Sequence, residues 1–312
     1  MRLIVREEYK DWRLDKFLVK NYPDVSRSQI QKAIAAGKIL LNNKKIPKHC
    51  FLRVKDVITG SLDEEIQQAQ TTFTLLANPK IKLDIVFEDE NYLVINKPAS
   101  IVVHPSESQP NNDTLISGVL ACYPSIINIG EDKMRPGIVH RLDKEVSGLL
   151  VLAKTPSAFL SLKNQFAARE IYKEYIALTY GKFTEKHGFI DFPIARSRTA
   201  TYKMAAKPDA SGKSALTEYE VKKENNNYTL LKIILHTGRT HQIRVHLNAI
   251  GHPIIGDEVY CPKNLKSNLC LNRIFLHAQK IKFKNLLQEE KEFTIDLPDE
   301  LKNILEKIKF IS

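Results

Sequence analysis

The chain has few cysteines, and their positions form no metal or disulfide pattern. The four are Cys50, Cys122, Cys261 and Cys270, and none of them stands in a Cys-x-x-Cys pair. Zinc ribbons and disulfide-stapled secreted domains need cysteines at close, paired spacings. The sequence therefore predicts reduced thiols and argues against both of these protein classes.

The sequence also lacks a long apolar run and the usual cofactor signatures. It has no uninterrupted stretch of about 18 apolar residues, and its first residues contain no signal-peptide core. It has no glycine-rich nucleotide loop, and His241 and His246 are five residues apart, a spacing that does not place two ligands on one helical face. We therefore expect a cytoplasmic protein with no membrane contact, no metal and no cofactor.

What the chain has in excess is positive charge. The formal net charge is +11, and the pI is about 9.3. Residues 1–60 contain 14 lysines and arginines against 6 acidic residues, a net charge of +8. Cationic side chains at phosphates release condensed counterions, so a basic module on a near-neutral remainder is typical of RNA or DNA binding. This distribution predicts a polyanionic partner.

The first 60 residues have the pattern of a small helical module. Apolar residues at helical spacing predict a first helix around residues 14–18. Ser26 is a candidate N-cap for a second helix over residues 27–34, which Gly37 would end. We expect a strand, an asparagine turn and a basic return over residues 39–46, and a closing strand over residues 53–58.

This order of elements resembles the alpha-L RNA-binding motif known from a small-subunit ribosomal protein. The resemblance implies that clustered cations of the module contact RNA. The residues expected to do so are Arg27, Lys32, Lys44 and Lys45. The alternative is that these cations only solvate a surface.

The most informative stretch of the remaining sequence is residues 137–155. Two apolar runs with strand character bracket a polar segment that contains His140, Arg141 and Asp143. Polar groups in a loop between rigid elements are a usual setting for catalysis. The alternative is a simple loop salt bridge between Arg141 and Asp143.

Two further positions carry candidate functional side chains. Period-two alternation over residues 171–179 places Tyr175 on the strand face opposite its apolar neighbours, where it can face a cleft or simply pack. Thr240 is a candidate cap for a helix over residues 241–250, and Arg244 would lie about one turn inside that helix, away from its apolar stripe. An unmatched arginine in such a place would usually face solvent.

The other elements follow from periodicity and turn residues. We expect strands at residues 83–88, 92–96 and 228–236, antiparallel strands within 188–222, and helices at 114–122, 157–168 and 298–308. Thr155 and Pro156 would begin the middle helix of these three.

Several motifs resemble those of the RluA-type pseudouridine synthases. They are His140-Arg-Leu-Asp-Lys-x-x-Ser-Gly, Lys173-x-Tyr-x-Ala and Thr237-Gly-Arg-Thr-His-Gln-Ile-Arg-Val-His, with weaker matches at residues 94–105 and 251–278. The resemblance implies Asp143 as the nucleophile, Arg244 as its ion-pair partner, Tyr175 against the base, and His140 and Arg141 at the substrate. Arg141 would occupy the stack that a flipped uridine vacates. Val146 departs from the family, which usually has Thr there.

These inferences give an α+β fold with an alpha-L module at 1–60, a linker at 61–80 and a catalytic domain at 81–312. The catalytic domain would contain a mixed, mainly antiparallel sheet flanked by helices. We expect a monomeric, cofactor-free isomerase, closest to the RluD-like branch, that acts on large-subunit ribosomal RNA or a pre-ribosomal particle. The alternatives are a tRNA pseudouridine synthase and a non-catalytic RNA-binding assembly factor.

Overall fold

Two short amphipathic helices build the N-terminal part of the computed structural model. It describes residues 1–23, 25, 27–47, 50–62, 75–105, 113–197, 203–207, 212–262, 265, 269 and 271–310. The chain divides into two compact units, residues 1–74 and 75–312. Most of the expected linker, residues 63–74, and the expected cap Ser26 lie outside the described residues. The domain limits predicted from the sequence therefore stay predictions.

The described residues of the first unit form two α-helices, a short 3-10 helix (Glu7–Tyr9) and a three-stranded antiparallel sheet. Its elements are β1 (Arg2–Ile4), α1 (Leu14–Asn21), α2 (Arg27–Ala35), β2 (Ile39–Leu41) and β3 (Val57–Gly60), with strand order β1-β3-β2. The predicted inward residues Leu14, Phe17 and Ile30 are buried. Gly37 has a φ of +75° and donates its N–H to Ile34, so it ends α2 as expected.

Two details of this unit differ from the sequence expectation. The basic return after the asparagine turn is a single bridge between Leu41 and Lys44, and β2 pairs with β3 instead. The closing strand begins at Val57 rather than Arg53, because Lys55 has a φ of +70° and the Asp56 carboxylate accepts the N–H of Arg53. A tight turn therefore occupies the first half of the expected strand.

The second unit contains a large mixed sheet. The strands of this unit are β4 (Ile85–Glu88), β5 (Tyr92–Lys97), β6 (Ser147–Ala153), β7 (Tyr172–Tyr180), β8 (His187–Asp191), β9 (Ile194–Arg196), β10 (Met204–Ala206), β11 (Leu216–Glu224), β12 (Tyr228–Leu235), β13 (Leu276–Lys284) and β14 (Glu290–Thr294). Strands β9 and β10 pair with each other in a separate two-stranded sheet. Its helices are α3 (Leu115–Cys122), α4 (Pro156–Ala168), α5 (Gln242–Ala249) and α6 (Asp299–Glu306). In the described part of the chain, nine strands follow the order β4-β5-β6-β13-β7-β12-β11-β8, with β14 on β13.

Helices cover both faces of the sheet where β5 and β6 lie. Leu150 and Leu152 pack with α3 in one apolar cluster, whereas Leu149 and Val151 pack with Leu162 of α4 in another. Every residue of β6 is buried, as expected for a continuous apolar strand with both faces covered. The predicted cap of α4 is confirmed, since Thr155 accepts the N–H of Ala158. The expected α+β fold with a mixed, mainly antiparallel sheet is confirmed.

One parallel pairing fixes the start of β6. Ser147 and Gly148 pair with His277 and Ala278 of β13, whereas the other neighbours in this sheet pair antiparallel in the described residues. Gly148 has a φ of +119°, and a Cβ there would lie 2.3 Å from the Ala278 carbonyl oxygen. Only glycine permits this approach.

The candidate active site

The loop that carries Asp143 enters β6 directly. Leu142 and Val146 on either side of Asp143 are buried in the core, while the Asp143 side chain keeps 16% of its surface exposed. Val146 therefore anchors the loop through its apolar side chain, at the position where the related motif usually carries a hydroxyl. This arrangement holds the backbone of the loop and leaves one carboxylate free to face a cleft.

The strand expected before this loop is absent from the described residues. Gly137 has a φ of +69° and donates its N–H to Ile129, so the chain turns there. Ile138 then makes only an isolated bridge to Leu152. The prediction of two flanking strands is therefore wrong for the first of them, because the turn leaves too few residues for a ladder.

A cleft of about 520 Å³ lies above the loop. Its walls include all five candidates that the sequence placed in this unit: His140, Arg141, Asp143, Tyr175 and Arg244. The volume is within the range of small-molecule sites and admits an everted nucleotide. The residues are far apart in sequence and come together through β6, β7 and α5.

Tyr175 lies in the middle of β7 and is 7% exposed. The register places it between Ile233 of β12 and Ala278 of β13. Burial, with a smaller contribution from the charge of Asp143, raises the pKa of Tyr175 well above its usual value. The phenol therefore stays protonated at neutral pH and presents an uncharged ring to the cleft.

Lys173 lines the same wall of the cleft two residues earlier on the strand. Burial lowers the pKa of its ammonium to about 8. Its Nζ lies 5.6 Å from the centre of the Phe166 ring, which favours the charged form. The cleft thus contains a lysine cation in addition to its arginines.

Arg244 lies on α5, as predicted, but it is 3% exposed rather than solvent-facing. The expected cap Thr240 is wrong: His241 takes the N-cap position with a φ of +55° and makes no side-chain cap bond. Gln242 anchors the turn instead, since its side-chain oxygen accepts the N–H of Arg239 and the hydroxyl of Thr237. The turn buries Arg244 inside the unit.

Asp257 is the principal partner of Arg244. Arg244 Nε and Nη2 each donate to one Asp257 oxygen at 2.8 Å, and both side chains are almost fully buried. Asp257 also accepts the backbone N–H groups of Val259 and Tyr260. This bidentate geometry fixes the plane of the guanidinium. The sequence placed Asp257 only within the weaker match at residues 251–278, so this partner was missed.

The remaining Nη1 of Arg244 points to the loop that carries Asp143. It lies 3.5 Å from Asp143 Oδ2 and 3.9 Å from Glu145 Oε2. Burial alone would lower the pKa of Arg244, but the hydrogen bonds and charge of Asp257, with the charges of Asp143 and Glu145, raise it. The guanidinium is therefore a permanent cation facing the Asp143 carboxylate.

His241 and Tyr260 complete the surroundings of Asp143. His241 Nε2 lies 3.9 Å from Asp143 Oδ2, and its Nδ1 is hydrogen-bonded to the Tyr260 hydroxyl at 2.8 Å. The Tyr260 ring packs over the Arg244 guanidinium at 5.1 Å. Burial lowers the pKa of His241, although the charge of Asp143 opposes this shift. Tyr260 follows Asp257 by three residues, in a turn that showed no sequence signal.

Lys97 binds the backbone of the loop that carries Asp143. Its Nζ is fully buried and donates to the carbonyls of Pro98, Ile101 and Lys144 at 2.7, 2.9 and 3.2 Å. Burial and the charge of Arg273 lower its pKa to about 7, against the opposing charges of Asp143 and Glu145. The sequence placed Lys97 only at a strand end.

His140 lines the cleft, and contacts with β6 and α4 fix its ring. Its Nε2 accepts the backbone N–H of Val151 at 3.0 Å, and its ring stacks on Phe166 at 4.7 Å. Burial, with the charge of Lys173, lowers its pKa to about 3, so it stays neutral. Arg141 is exposed at the rim of the cleft.

The candidate RNA-binding residues of the first unit differ in their contacts. Arg27 donates through Nε and Nη2 to Asp15 Oδ2 at 3.0 and 2.8 Å, so its guanidinium already has an intramolecular partner. Lys32, Lys44 and Lys45 are exposed. Their RNA contacts stay predictions.

Searches of the described residues for other site types gave two negative findings. No set of three or more His, Cys, Asp or Glu residues there is arranged to hold a metal ion. No helix among them is long and apolar enough to cross a membrane.

Comparison with known proteins identifies the class of this fold and cleft. The family described as RNA pseudouridylate synthase matches residues 91–249, and the S4 domain matches residues 12–57. The chain therefore belongs to the RNA pseudouridylate synthase family. The expectations of an RNA-modifying isomerase and of a ribosomal-protein-like RNA-binding module are confirmed.

Individual relatives agree along almost the whole chain. An uncharacterized RNA pseudouridine synthase of Bacillus subtilis is 36% identical over 97% of this chain and 96% of its own length. Ribosomal large subunit pseudouridine synthase D of Haemophilus influenzae is 37% identical over 98% of this chain and 94% of its own. The solved structure of human RNA pseudouridylate synthase domain containing 1 has a TM-score of 0.59 at 26% identity, covering 72% of this chain and 87% of that one.

Proposed function

We propose that this protein converts uridines of large-subunit ribosomal RNA to pseudouridine with Asp143 as the nucleophile. The observation that carries the proposal is the Asp143 carboxylate, which faces the cleft and lies 3.5 Å from a buried, permanently charged Arg244. The substrate is inferred from the relative in Haemophilus influenzae that is named for the large ribosomal subunit. A cytoplasmic location and a monomeric state remain predictions.

The reaction rearranges one nucleotide without loss of atoms. The bond between C1′ of the ribose and N1 of uracil breaks, the base turns, and a bond forms between C1′ and C5. The proton on C5 is lost, and N1 gains one, so no redox partner is required. The Asp143 carboxylate attacks either the anomeric carbon or the uracil ring, and the bond that it forms breaks again before the product leaves, which regenerates the carboxylate. Both routes need a nucleophile in a site that excludes water.

The neighbouring side chains have separate roles in this proposal. Arg244, fixed by Asp257, holds and orients the carboxylate. Tyr175 packs against the detached base through an uncharged ring. Arg141 at the rim takes the place of the everted nucleotide in the RNA helix, which offsets part of the cost of unstacking, a few kcal/mol.

The test is pseudouridine mapping with matched variants. Purified ribosomal RNA and tRNA from cells that lack this protein are incubated with it, and carbodiimide-dependent primer-extension stops are mapped. We expect new stops in large-subunit RNA with the parent protein, none with Asp143→Asn, and the parent pattern with the exposed-loop control Asp132→Asn. Primer-extension stops in tRNA alone would show that the substrate is tRNA and not ribosomal RNA. Near-parent activity of Asp143→Asn would show that Asp143 is not the nucleophile.

A further inference from the structure

The cleft wall contains a further histidine, His104, to which the proposed reaction assigns no role. His104 follows β5, next to the isolated bridge between Val102 and Thr114. Its side chain is 4% exposed and lies in the wall of the same cleft as Asp143. The sequence treated residues 102–105 only as an extended segment beside the cleft.

Neither ring nitrogen of His104 has a hydrogen-bond partner among the described residues. Other buried histidines are held: His246 bonds through Nδ1 to Thr217 and through Nε2 to the Phe192 carbonyl, and Nδ1 of His277 bonds to Ser147. A buried polar group without a partner is costly, and such groups are rare in folded proteins. A partner supplied by the substrate explains why this one persists in a catalytic cleft.

The surroundings of His104 select a neutral partner. Burial, together with the charges of Arg135 and Arg141, lowers its pKa to about 3, so the ring is uncharged at neutral pH. A neutral imidazole offers one N–H donor and one nitrogen acceptor. Uracil has two carbonyl acceptors and one N–H donor, whereas a phosphate would be served better by Arg135 and Arg141, which also line the cleft.

We propose that His104 contacts the substrate base, with one ring nitrogen hydrogen-bonded to the polar edge of the everted uracil. The inference rests on the proposed isomerase function and goes beyond it by naming a base-recognition residue. Once the bond from C1′ to N1 is broken, the base carries negative charge that its carbonyl oxygens share. A donor at one of these oxygens then stabilises the detached base while it turns.

The test combines protein variants with single-atom changes in the RNA. The substrate is a short RNA that contains the mapped target as uridine, 2-thiouridine or 4-thiouridine, because sulfur accepts hydrogen bonds more weakly than oxygen. Single-turnover rates and RNA affinity are measured for the parent, His104→Phe, His104→Gln and the control Val103→Ala. Val103 is the buried neighbour of His104, so its truncation disturbs packing without removing the donor.

We expect His104→Phe to bind RNA normally and to react about 10- to 100-fold more slowly on uridine. One of the thio substitutions should slow the parent and Val103→Ala but have no further effect on His104→Phe. His104→Gln, which keeps a donor and an acceptor, should recover part of the rate and of the thio effect. If His104→Phe does not fold, His104→Leu, which also lacks a donor, takes its place.

Equal thio effects in His104→Phe and the parent would overturn the assignment, as would a parent rate in His104→Phe. If His104→Leu has to take the place of His104→Phe, an undiminished thio effect in His104→Leu would overturn it as well. In each of these cases the isomerase proposal stands. No pseudouridine with the parent protein on any RNA would instead overturn the proposed function itself.

Discussion

Each unit of this protein buries a carboxylate with arginine, but only in the second unit does the arginine also face another carboxylate. In the first unit, Asp15 is fully buried and accepts hydrogen bonds from Arg13, Arg27 and Gln31. In the second, Arg244 gives two hydrogen bonds to the buried Asp257 and keeps one nitrogen 3.5 Å from Asp143, which opens to the cleft.

The difference separates a carboxylate that is closed off by its donors from one that a substrate can reach. Asp15 has no exposed surface and its donors occupy both oxygens, so no substrate can reach it. Asp143 has a charged neighbour beyond ordinary hydrogen-bond distance and opens to the cleft. A nucleophile benefits from a nearby cation, provided that its lone pairs are not already taken by donors.

The largest expected effect comes from breaking the second cluster. Arg244→Met should lower turnover about 100- to 1000-fold, because Asp143 loses its charge partner. It should also lower the free energy of unfolding by about 3–5 kcal/mol, because Asp257 stays buried without its cation. Single-turnover kinetics and thermal unfolding measure the two losses.

A double variant separates the two losses. In Arg244→Met/Asp257→Leu the buried ion pair becomes an apolar pair, which is often neutral for stability. We expect stability to recover while turnover stays low. Recovery of both would mean that Arg244 acts only through folding, and parent kinetics in the single variant would show that Asp143 does not need this partner.

Breaking the first cluster should lower only the free energy of unfolding, and by less than Arg244→Met does. Asp15→Asn removes the charge while Arg13 and Arg27 keep 27% and 46% of their side-chain surface exposed, so water can solvate the released guanidiniums. We expect a loss of about 1–3 kcal/mol. Hydrogen exchange of α1 and α2 amides in the full chain measures it, and unchanged exchange protection there would contradict this assignment.

Lowering the pH should destabilise the second unit more than the first. His104 and His277 are buried, and their pKa values are lowered to about 3 and about 4 from 6.5, first by burial and then by nearby arginines. Between pH 6.5 and 4 the unfolded state therefore binds more protons, so stability falls as pH falls. At pH 5 each contributes a loss of up to about 2 kcal/mol relative to neutral pH.

The first unit should resist the same change. Burial raises the pKa of Asp15, but hydrogen bonds from Gln31, Arg27 and Arg13 outweigh burial and lower it below 3.8. Its stabilising effect is complete above the unfolded pKa and is lost only as pH falls through the lower folded value. Hydrogen exchange at pH 7 and pH 5 should show the second unit opening more easily while the first stays unchanged. Equal loosening of both would refute this.

The smallest expected effect concerns RNA affinity. Replacing the exposed pair Lys44 and Lys45 by Gln should raise the RNA Kd about 3- to 10-fold and reduce the slope of log Kd against log salt by about 1.5. The charge-matched pair Lys302→Gln/Lys307→Gln, near α6, should change the Kd less than twofold. Equal losses would show that only net charge matters.

The sequence was most informative where one motif contains both the chemistry and the element that carries it. Asp143 precedes an apolar strand, Tyr175 lies in an alternating one, and Arg244 follows a strand and a turn. The resemblance brought these residues to one site, and the coordinates place them around one cleft. Contiguous patterns of this kind survive folding because local propensity and tertiary packing agree.

The residues that were missed owe their roles to contacts across the fold. Asp257 matters because Arg244, 13 residues earlier, donates to it, and His104 was missed because only tertiary packing buries it in the wall of the cleft. Neither contact leaves a periodic signal. The misplaced cap at Thr240 has a similar cause, since the side chain of Gln242 does locally what a hydroxyl at residue 240 was expected to do.

The parallel pairing beside Gly148 has a consequence for how the enzyme is made. Ser147, at the end of the Asp143 loop, is joined to His277, which lies 130 positions later in the chain. During translation the ribosome releases the complete N-terminal unit and the Asp143 loop well before β13 exists. A growing chain therefore acquires its nucleic-acid-binding module early, and the geometry for chemistry only when synthesis is almost finished.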